Sequence, residues 1–512
     1  MGGTIELTGP DFAAGIPDLE DGAMLQGHYQ HQAVIAVRRG ADYFVVAAAC
    51  AHWGENLAAG AVIGETLRCP HHHASFSLRT GEAVAPPALG PIQSFRVEKR
   101  GAGRFVAGKS EQATLRNITG GPSSVAIVGG GAAGSACALA LRAEGYTGPI
   151  TLISADADLP CDRPNVSKDY LAGNAPEEWL FLRDGDGWKA AGVELRLGVT
   201  VESIDRKAKT LKLSGGGSLG YGALLLATGA DAIRLPIPGA ELPHVQVLRT
   251  VGDGRKILAG VSGAKSAVVV GSSFIGMEAA ASLKARGLDV HVVSPDVVPF
   301  VKSLGPVAGG VLHAAHLKAG VAFHLGRKPA SISATEVVLD DGSKIPAQLV
   351  VMGVGVRPSL ALAEAAGLKV DRGVMVDAQL RTSDANIWAA GDAVRFLDAR
   401  SGENLRIEHW VVAQRQGQLA ARAMLGQSVK LDLVPFFWTT QFGLSLRYVG
   451  HAESWDKIDV AGDPKTNDCA FAYRKGGKTL ALAMYGRDRD ALIAEDALAR
   501  GDEATLSKLV PA

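Results

Sequence analysis

Four candidate metal ligands lie in two short segments near the N-terminus and constrain how that region can fold. Cys50-Ala51-His52 is followed, after 16 intervening residues, by Cys69-Pro70-His71-His72. Each segment supplies one thiol and one ligand imidazole, in the pattern C-x-H-x16-C-x2-H. All four side chains can meet only if the two segments form neighbouring loops.

The crossed order of these ligands favours an iron–sulfur cluster over zinc. In a Rieske-type [2Fe–2S] centre two His replace two Cys on one iron. We therefore predict that Cys50 and Cys69 hold one iron and that His52 and His72 hold the other. Structural zinc accepts the same residue types, but zinc fingers usually pair cysteine with cysteine and histidine with histidine.

Composition argues against several classes of protein. Lys plus Arg and Asp plus Glu both number 52 in 512 residues, so no bulk charge attracts nucleic acid or an acidic membrane. No apolar run reaches the ~18 residues of a membrane span, and the N-terminus has neither the basic nor the apolar region of a signal peptide. Three of the five Cys fall outside the ligand segments and lack regular spacing, which predicts a reducing, cytoplasmic location.

Residues 1–108 are predicted to form an all-β domain that carries the ligand loops. Short apolar runs at 33–37, 43–46 and 94–97 are separated by Gly-containing turns. Residues 109–122 are polar, have no hydrophobic period and are predicted to be a linker.

A dinucleotide-binding unit follows the linker. The apolar strand 125–128 leads into a G-x-G-x-x-G turn and then into an Ala/Leu-rich helix. We expect Gly129 to make the tight turn, Gly131 to admit a pyrophosphate and Gly134 to allow close packing of helix and strand. Ala133 lies in the same turn, where the helix N-terminus favours phosphates.

An acidic residue is expected to bind the ribose of this first dinucleotide. It should follow the second strand, 150–153, about 20 residues after the glycine turn. Asp156 is the candidate and Asp158 is the fallback.

A second unit begins with the strand 267–270. It continues with Gly271, Ser273 and Gly276, so a serine occupies the position of the middle glycine. Ser294 ends the second strand and is the candidate ribose contact. No Arg follows closely to bind a 2′-phosphate, which favours NADH; Lys302 and Ser294 keep NADPH as the alternative.

Further motifs resemble segments of the pyridine-nucleotide flavoprotein reductases, and some of them resemble the ferredoxin reductases in particular. Over essentially its full length the chain is similar to the Rieske-containing, apoptosis-inducing-factor-like oxidoreductases. The matching segments are Asp162-Arg163-Pro164 with Ser167-Lys168, Leu225–Ala230, Phe274–Glu278, Gly353–Pro358, Ile387–Asp392, Glu408-His409-Trp410 and Pro435–Thr439. Cys161 departs from the family, in which Tyr is usual before D-R-P.

The resemblance implies which residues contact the cofactors. Lys168 and Glu278 are expected to form a charge pair near the nicotinamide and to be the catalytic residues. The other cofactor contacts implied are Arg163, Ala227, Thr228, Gly229, Gly355, Gly391, Asp392, His409, Trp410 and Trp438.

The resemblance also implies the fold class and the domain plan. We expect a multidomain chain with an all-β Rieske domain, an α/β flavoprotein reductase with two Rossmann-like dinucleotide-binding domains, and an α/β C-terminal domain. The FAD-binding domain is expected at 123–248 and 377–430, with the NAD(P)-binding domain inserted at 249–376. The C-terminal interface domain is expected at 431–512.

The cluster loops lack features of high-potential Rieske proteins. Ala74 and Phe76 occupy the positions of Ser and Tyr hydroxyls that bond to sulfur, and Glu55 and His71 occupy those of a loop-bridging disulfide. Fewer donors to sulfur stabilise the reduced cluster less, so we predict a potential near the low end of the ~ −150 to +300 mV range. His71 and His73 are expected to face solvent or to support the ligands.

Two of the remaining cysteines have alternative interpretations. Cys137 lies on an apolar helix and is expected to be a core residue. Cys161, close to the expected flavin site, has a possible second role as the nucleophile of an NADH oxidase or peroxidase, although it lacks the usual surrounding motif.

These observations predict an NADH-dependent FAD reductase that passes electrons through its own Rieske cluster to an external acceptor, of ferredoxin, oxygenase or cytochrome P450 type. The alternatives are the Cys161 oxidase or peroxidase and an apoptosis-inducing-factor-like redox sensor. No nucleic acid or membrane partner is expected, and monomer and homodimer both remain open.

Overall fold

The structure is a computed structural model that describes residues 5–111 and 120–511. Most of the predicted linker, residues 112–119, lies outside the described residues.

The N-terminal domain is all-β, as predicted, and consists of two antiparallel sheets. Their orders are β1-β2-β3-β8-β9 and β4-β5-β6-β7. One ligand segment follows β3 and the other connects β5 to β6, and the fully buried Ile35, Leu67 and Phe76 belong to the core beside them. The strands are β1 (Met24–Tyr29), β2 (Gln32–Arg39), β3 (Asp42–Ala47), β4 (Ala61–Ile63), β5 (Thr66–Arg68), β6 (Ser75–Ser77), β7 (Ala83–Ala85), β8 (Ser94–Arg100) and β9 (Gly103–Lys109), with a 3-10 turn at Leu57–Ala59.

The first dinucleotide-binding unit has the predicted strand–turn–helix order. Gly129 has φ +114°, and a Cβ on Gly134 would lie 1.9 Å from the Gly129 carbonyl oxygen, so both positions require glycine. The elements are β10 (Val125–Val128), α1 (Ala132–Ala143), β11 (Ile150–Ser154), α2 (Arg163–Asn165), α3 (Gly185–Ala190), β12 (Val193–Leu197), β13 (Val201–Asp205), β14 (Thr210–Leu213), β15 (Ser218–Gly220), β16 (Ala223–Leu226) and β17 (Ala230–Ala232). A π-helical turn spans Val166–Tyr170 and a 3-10 turn spans Glu177–Leu180.

The second unit is also built on a parallel sheet. Its order is β18-β25-β19-β20-β21, and β22-β23-β24 form a separate antiparallel sheet. The elements are β18 (Val245–Val247), α4 (Val251–Val261), β19 (Ser266–Val270), α5 (Phe274–Ala285), β20 (Asp289–Ser294), α6 (Val301–Lys318), β21 (Ala322–Leu325), β22 (Pro329–Ile332), β23 (Glu336–Leu339), β24 (Lys344–Pro346), β25 (Leu349–Met352) and β26 (Val356–Pro358), the last of which pairs with β17.

The chain then returns to the first unit. The added elements are α7 (Ala361–Ala365), β27 (Val374–Met375), β28 (Ile387–Ala389), β29 (Val394–Leu397), β30 (Asn404–Leu405) and α8 (Trp410–Met424). Strand β28 completes the first parallel sheet, with the order β12-β11-β10-β16-β28.

The sheets place two of the expected boundaries differently. Strand β18 pairs in the second parallel sheet, so that sheet begins before residue 249. Ala363, Leu368 and Val374 pack in the core of the first unit, so the return precedes residue 377. Both segments are short and lack a strong hydrophobic period. Their sequences therefore do not indicate which of the two units they join.

A five-stranded antiparallel sheet and two helices form the C-terminal domain. The elements are β31 (Phe436–Gln441), β32 (Leu444–Gly450), β33 (Lys457–Asp463), β34 (Asp468–Lys475), β35 (Lys478–Tyr485), α9 (Asp488–Arg500) and α10 (Glu503–Leu509). The sheet order is β31-β32-β35-β34-β33. Some of its side chains share a core with helices α5 and α6, and others share one with α9 and α10.

Candidate functional site

The two ligand segments lie side by side. The Nδ1 atoms of His52 and His72 are 3.2 Å apart. The thiols of Cys50 and Cys69 are buried, and the neighbouring Cys69 thiol together with burial raises the pKa of Cys50. The four expected ligands therefore form one nitrogen pair and one sulfur pair.

This pairing fits the two irons of a [2Fe–2S] cluster. Each iron of such a centre takes two ligands from the protein, whereas structural zinc takes four around one point. Across residues 5–111 and 120–511, no group of three or more His, Cys, Asp or Glu side chains is arranged to hold a single ion. Cys50, Cys69, His52 and His72 thus suit a binuclear cluster better than zinc.

The residues around the ligand loops offer few hydrogen-bond donors to a cluster, as the sequence predicts. Ala74 and Phe76 are fully buried and offer no hydroxyl. The Nε2 atom of His71 lies 3.3 Å from Glu55 Oε2, so an imidazole–carboxylate contact joins the loops where a disulfide is absent. The His71 side chain is 37% exposed, as expected for a histidine that is not a ligand.

His73, in contrast, is fully buried against the C-terminal domain. Its Nδ1 atom is 2.6 Å from Glu495 Oε2, and its ring stacks on Phe436 with 3.6 Å between centroids. Arg415 Nη1 donates to the other oxygen of Glu495 at 2.6 Å. Burial alone would raise the pKa of Glu495, but the Arg415 charge and the His73 contact hold it well below its usual range. This buried network anchors the second ligand loop to the C-terminal domain.

Both ligand histidines also face the reductase part of the chain. The ring of His72 lies 4.4 Å from the ring of Trp438. On the other side, His52 Nε2 is 3.6 Å from Asp162 Oδ2, and Trp53 Nε1 donates to the same oxygen at 3.2 Å. Asp162 directly precedes Arg163, which lines a large cavity between the two dinucleotide-binding units.

A cavity of about 1430 Å³ is lined by residues of both dinucleotide-binding units. Most of the sequence-predicted cofactor residues line it: Gly129, Gly131, Ala133, Asp156, Arg163, Lys168, Ala227, Thr228, Gly229, Ser273, Glu278, Gly355, Gly391, Asp392, His409, Trp410 and Trp438. Four others do not line it: Gly134, Gly271, Gly276 and Ser294. Gly134 and Gly276 instead pack their helices against the glycine turns, because a Cβ on either would meet a backbone carbonyl within 2.3 Å.

The first glycine turn fits a bound pyrophosphate. Gly131 lines the cavity, and a Cβ there would meet no atom closer than the Arg163 guanidinium at 3.8 Å. Arg163 Nη2 donates to Asp156 Oδ2 at 2.9 Å. Asp158 is held by Arg255 at 2.7 Å and does not line the large cavity, whereas Asp156 does, which favours Asp156 as the ribose acid.

The expected charge pair is present beside the cavity. Lys168 Nζ lies 2.9 Å from Glu278 Oε1. Glu278 is buried and accepts hydrogen bonds from Ser167 at 2.5 Å and from Thr439 at 2.7 Å. Gln441 in turn donates to the Thr439 hydroxyl at 2.9 Å. The carboxylate is therefore held in place by both the first dinucleotide-binding unit and the C-terminal domain.

Two residues that were not predicted from the sequence shape the cavity: Arg249 lines it, and Gln416 supports the lining residue Gly391. Arg249 donates to Asp392 at 2.7 Å, and its buried Nε has no hydrogen-bond partner among the described residues. Gln416 accepts from the backbone N–H of Gly391 at 2.7 Å. Neither residue belongs to a motif, and both act on residues far away in sequence, so no local signal identifies them.

The aromatic end of the cavity also has free polar atoms. His409 Nδ1 and Trp410 Nε1 are buried without a hydrogen-bond partner in the part of the chain that the structure describes. Burial lowers the pKa of His409 to about 3, so its imidazole is neutral. These atoms, with Phe437 and Trp438, suit the polar edge and apolar face of a flavin ring system.

The second unit holds its strand-end serine away from the cavity. Ser294 is buried, and its hydroxyl accepts a hydrogen bond from Ser272 at 2.7 Å. Lys302, the cation considered for a 2′-phosphate, is paired with Asp296 at 2.8 Å.

The thiol of Cys161 lacks the exposure and the low pKa of a nucleophilic cysteine. It is 8% exposed, and burial raises the pKa of its thiol to about 12. Cys137 is fully buried on α1, as expected for a core residue. Among the described residues, no helix is long and apolar enough to cross a membrane.

Three protein-family models match successive parts of the chain. They are the Rieske [2Fe–2S] domain at residues 12–96, the pyridine nucleotide-disulphide oxidoreductases at 123–417 and the reductase C-terminal domain at 436–511.

Some relatives match almost the whole of this chain and others match about three quarters of it. Human apoptosis-inducing factor 3 is 31% identical over 507 residues, covering 95% of this chain and 83% of the relative. The ferredoxin–NAD(+) reductase component of the anthranilate 1,2-dioxygenase system of Burkholderia cepacia is 35% identical and covers 73% and 94%. The crystal structure of the covalent putidaredoxin reductase–putidaredoxin complex matches with a TM-score of 0.72 at 30% identity, covering 76% of this chain and 99% of that one. The chain therefore belongs to the pyridine nucleotide-disulphide oxidoreductases and is an FAD-dependent NAD(P)H oxidoreductase of the Rieske-containing, apoptosis-inducing-factor-like and ferredoxin-reductase type.

Proposed function

We propose that this chain oxidises NADH, passes the electrons through FAD to its own Rieske cluster, and delivers them to an external acceptor of ferredoxin, oxygenase or cytochrome P450 type. The observation that carries this proposal is the contact between His72 and Trp438. The tryptophan lines the cofactor cavity on one side and meets a cluster ligand on the other.

The cofactors supply the redox chemistry, because flavin accepts a hydride from the nicotinamide and can release single electrons to a cluster. The chain binds and orients them. Lys168 and Glu278 are the proposed catalytic residues at the nicotinamide end of the cavity. Glu278 has three partners, so its carboxylate is held rigidly and keeps the Lys168 ammonium pointing into the site. Such fixed charges act without reorganisation during the reaction.

The neutral His409 and the indole rings of Trp410 and Trp438 form another part of the cavity wall. Phe437, Trp410 and Trp438 would exclude water from a flavin ring bound here, and His409 stays uncharged because of its burial. Excluding water in this way would limit side reactions of the bound cofactor.

The ligand loops of the N-terminal domain are docked on the reductase part of the same chain. The His73–Glu495–Arg415 network and the Trp53–Asp162 hydrogen bond join the ligand loops to two different domains. Breaking a buried, hydrogen-bonded charge pair typically costs about 3–5 kcal/mol. The docked loops cover the Trp438 side of the cavity, so an external acceptor meets the exposed His71–Glu55 side of the cluster instead.

The names of the relatives support a protein acceptor. The relative from the anthranilate 1,2-dioxygenase system is named a ferredoxin–NAD(+) reductase, and the matching crystal structure holds putidaredoxin reductase together with putidaredoxin. We infer an acceptor of the same class here, with NADH preferred over NADPH because Asp296 already neutralises Lys302.

A variant without a complete cluster tests the exit route. His72→Ala removes a ligand but leaves the Lys168–Glu278 site intact. We expect NADH-dependent reduction of ferricyanide, which takes electrons directly from flavin, to persist, and reduction of a ferredoxin or cytochrome c to be lost. Equal loss or retention of both activities would contradict the route. Slow turnover of the wild type with every acceptor would instead favour the redox sensor.

A further inference from the structure

Arg447 is a buried cation on the sheet face against which the cluster loops pack. Its side chain is 3% exposed. In the β31–β32 ladder it lies directly opposite Trp438, and directly paired residues of antiparallel strands project to the same face. Because the Trp438 ring contacts His72, Arg447 and the second ligand loop share this face.

The hydrogen bonding of Arg447 is incomplete. Asp488 is its one carboxylate partner within the described residues, at 3.3 Å from both Nη2 and Nε. Nη1 and Nε have no hydrogen-bond acceptor there. The Asp488 side chain is 32% exposed, so water screens part of its charge. A buried guanidinium that lacks full pairing is costly unless another anionic group lies near it.

The sulfur side of the cluster supplies such a group. Burial lowers the pKa of Arg447. The charges of Asp488, Cys69 and Glu55, in decreasing order of effect, raise it. The guanidinium is thus within electrostatic range of a cluster ligand and of the loop that carries the other thiol. Charge interactions in a protein interior are screened far less than those in water.

We propose that Arg447 stabilises the reduced form of the cluster and thereby couples cluster reduction to docking of the N-terminal domain. Reduction adds one electron to the [2Fe–2S] centre and breaks no bond. The electron is one of the two that NAD(P)H delivers through FAD. The centre becomes more negative by one charge, and a fixed cation beside it favours that state.

Docking and reduction then reinforce each other. If docking brings Arg447 to the cluster and raises its potential, reduction must tighten docking by the same factor. The oxidised domain is correspondingly held less tightly. The Arg447 charge also offsets part of the low potential expected from Ala74 and Phe76. The source of the electron rests on the proposed function, whereas the effect of Arg447 on the potential does not.

A redox titration of the full-length holoenzyme tests this inference. The cluster is reduced chemically in the presence of mediators and followed by its EPR signal, so NADH and the flavin route are not needed. We expect Arg447→Gln to lower the midpoint potential by about 59 mV or more, which is a tenfold change for a one-electron couple. Arg447→Lys, which keeps the charge, should stay close to the wild type.

Two further variants separate the charge effect from damage to the fold. Arg474 is a buried arginine of the same sheet, fully paired with Asp459, Thr479 and the Val510 carbonyl, and Arg474→Gln should leave the potential unchanged. In a His73→Gly background, where docking is weakened, the effect of Arg447→Gln should shrink. An unchanged potential in Arg447→Gln with full iron content, or an equal shift in Arg474→Gln, would overturn the inference. A shifted potential in an enzyme whose cluster NADH does not reduce would overturn the proposed function and leave this inference standing.

Discussion

The imidazole ring of His72 lies 4.4 Å from the indole ring of Trp438. These residues are far apart in sequence and belong to the N-terminal and C-terminal domains. Their contact joins the cluster loops to the wall of the cofactor cavity. One chain therefore holds the candidate cluster site and the candidate cofactor cavity side by side, whereas the matching crystal structure is a covalent complex of two proteins, putidaredoxin reductase and putidaredoxin.

Glu278→Gln should slow the reduction of flavin by NADH by about tenfold to hundredfold, equal to about 1.4–2.7 kcal/mol. The amide keeps the shape of the side chain but removes the charge that orients Lys168. Single-turnover kinetics at saturating NADH measures the rate. Glu177→Gln, which changes a carboxylate held by Arg255, is the matched control. A wild-type rate in Glu278→Gln would refute the catalytic role.

His73→Gly should release the N-terminal domain without unfolding the ligand loop. The residue has φ +61°, a conformation that glycine adopts without strain, so the loop survives while the Glu495 contact is lost. We expect flavin reduction at the wild-type rate and cluster reduction slower by about tenfold, or about 1.4 kcal/mol. Gln30→Gly, at an exposed turn with φ +54°, is the control. Unchanged cluster reduction would mean that His73 does not hold the docked arrangement.

Cys161→Ser should keep full NADH-dependent reductase activity. With a thiol pKa of about 12, roughly one molecule in ten thousand carries a thiolate at pH 8. Alkylation by iodoacetamide at that pH should accordingly be slow at Cys161. Loss of turnover in the serine variant, or rapid alkylation, would restore the oxidase or peroxidase interpretation.

Asp296→Asn should increase the use of NADPH. The substitution frees Lys302, now paired at 2.8 Å, to meet a 2′-phosphate. The ratio of kcat/KM for NADH to that for NADPH should exceed one in the wild type and fall in the variant. A ratio below one in the wild type would contradict the NADH preference.

Stability should fall as the pH drops from about 6.5 toward 4, in part through His316. Burial lowers the pKa of this histidine to about 4, and Gln441 accepts from its Nε2 at 2.7 Å. The unfolded chain binds a proton near pH 6.5 whereas the folded one does not, so each pH unit in this window costs about 1.4 kcal/mol. Urea unfolding at pH 7 and pH 5 measures the effect. His316→Asn should reduce the difference, and an unaltered difference would exclude His316 as its source.

Short-range chemistry made much of this molecule predictable from sequence. The ligand spacing of Cys50, His52, Cys69 and His72 is dictated by the cluster, and the glycine turns at Gly129 and Gly271 are dictated by backbone geometry. Such patterns are local and specific, so they predict both the fold class and the position of the loops.

The arrangement between domains was not predictable in the same way. His73 and Glu495 are 422 positions apart, and Arg447 faces the cluster only because one sheet packs against two loops. Nothing in the neighbouring sequence of His73 distinguishes it from the exposed His71. Its burial depends on tertiary packing, which also decides that β18 joins the second sheet.

Anaerobic stopped-flow reduction by NADH tests the central claim most directly. Flavin absorbance and the EPR signal of the cluster are followed in the same reaction, in the wild type and in Trp438→Ala. We expect the flavin to be reduced first and the Rieske signal then to appear at a rate no slower than turnover. Because Trp438 also lines the cofactor cavity, Trp438→Ala should slow the second step more than the first. A flavin that is reduced while the cluster stays oxidised would contradict the central claim.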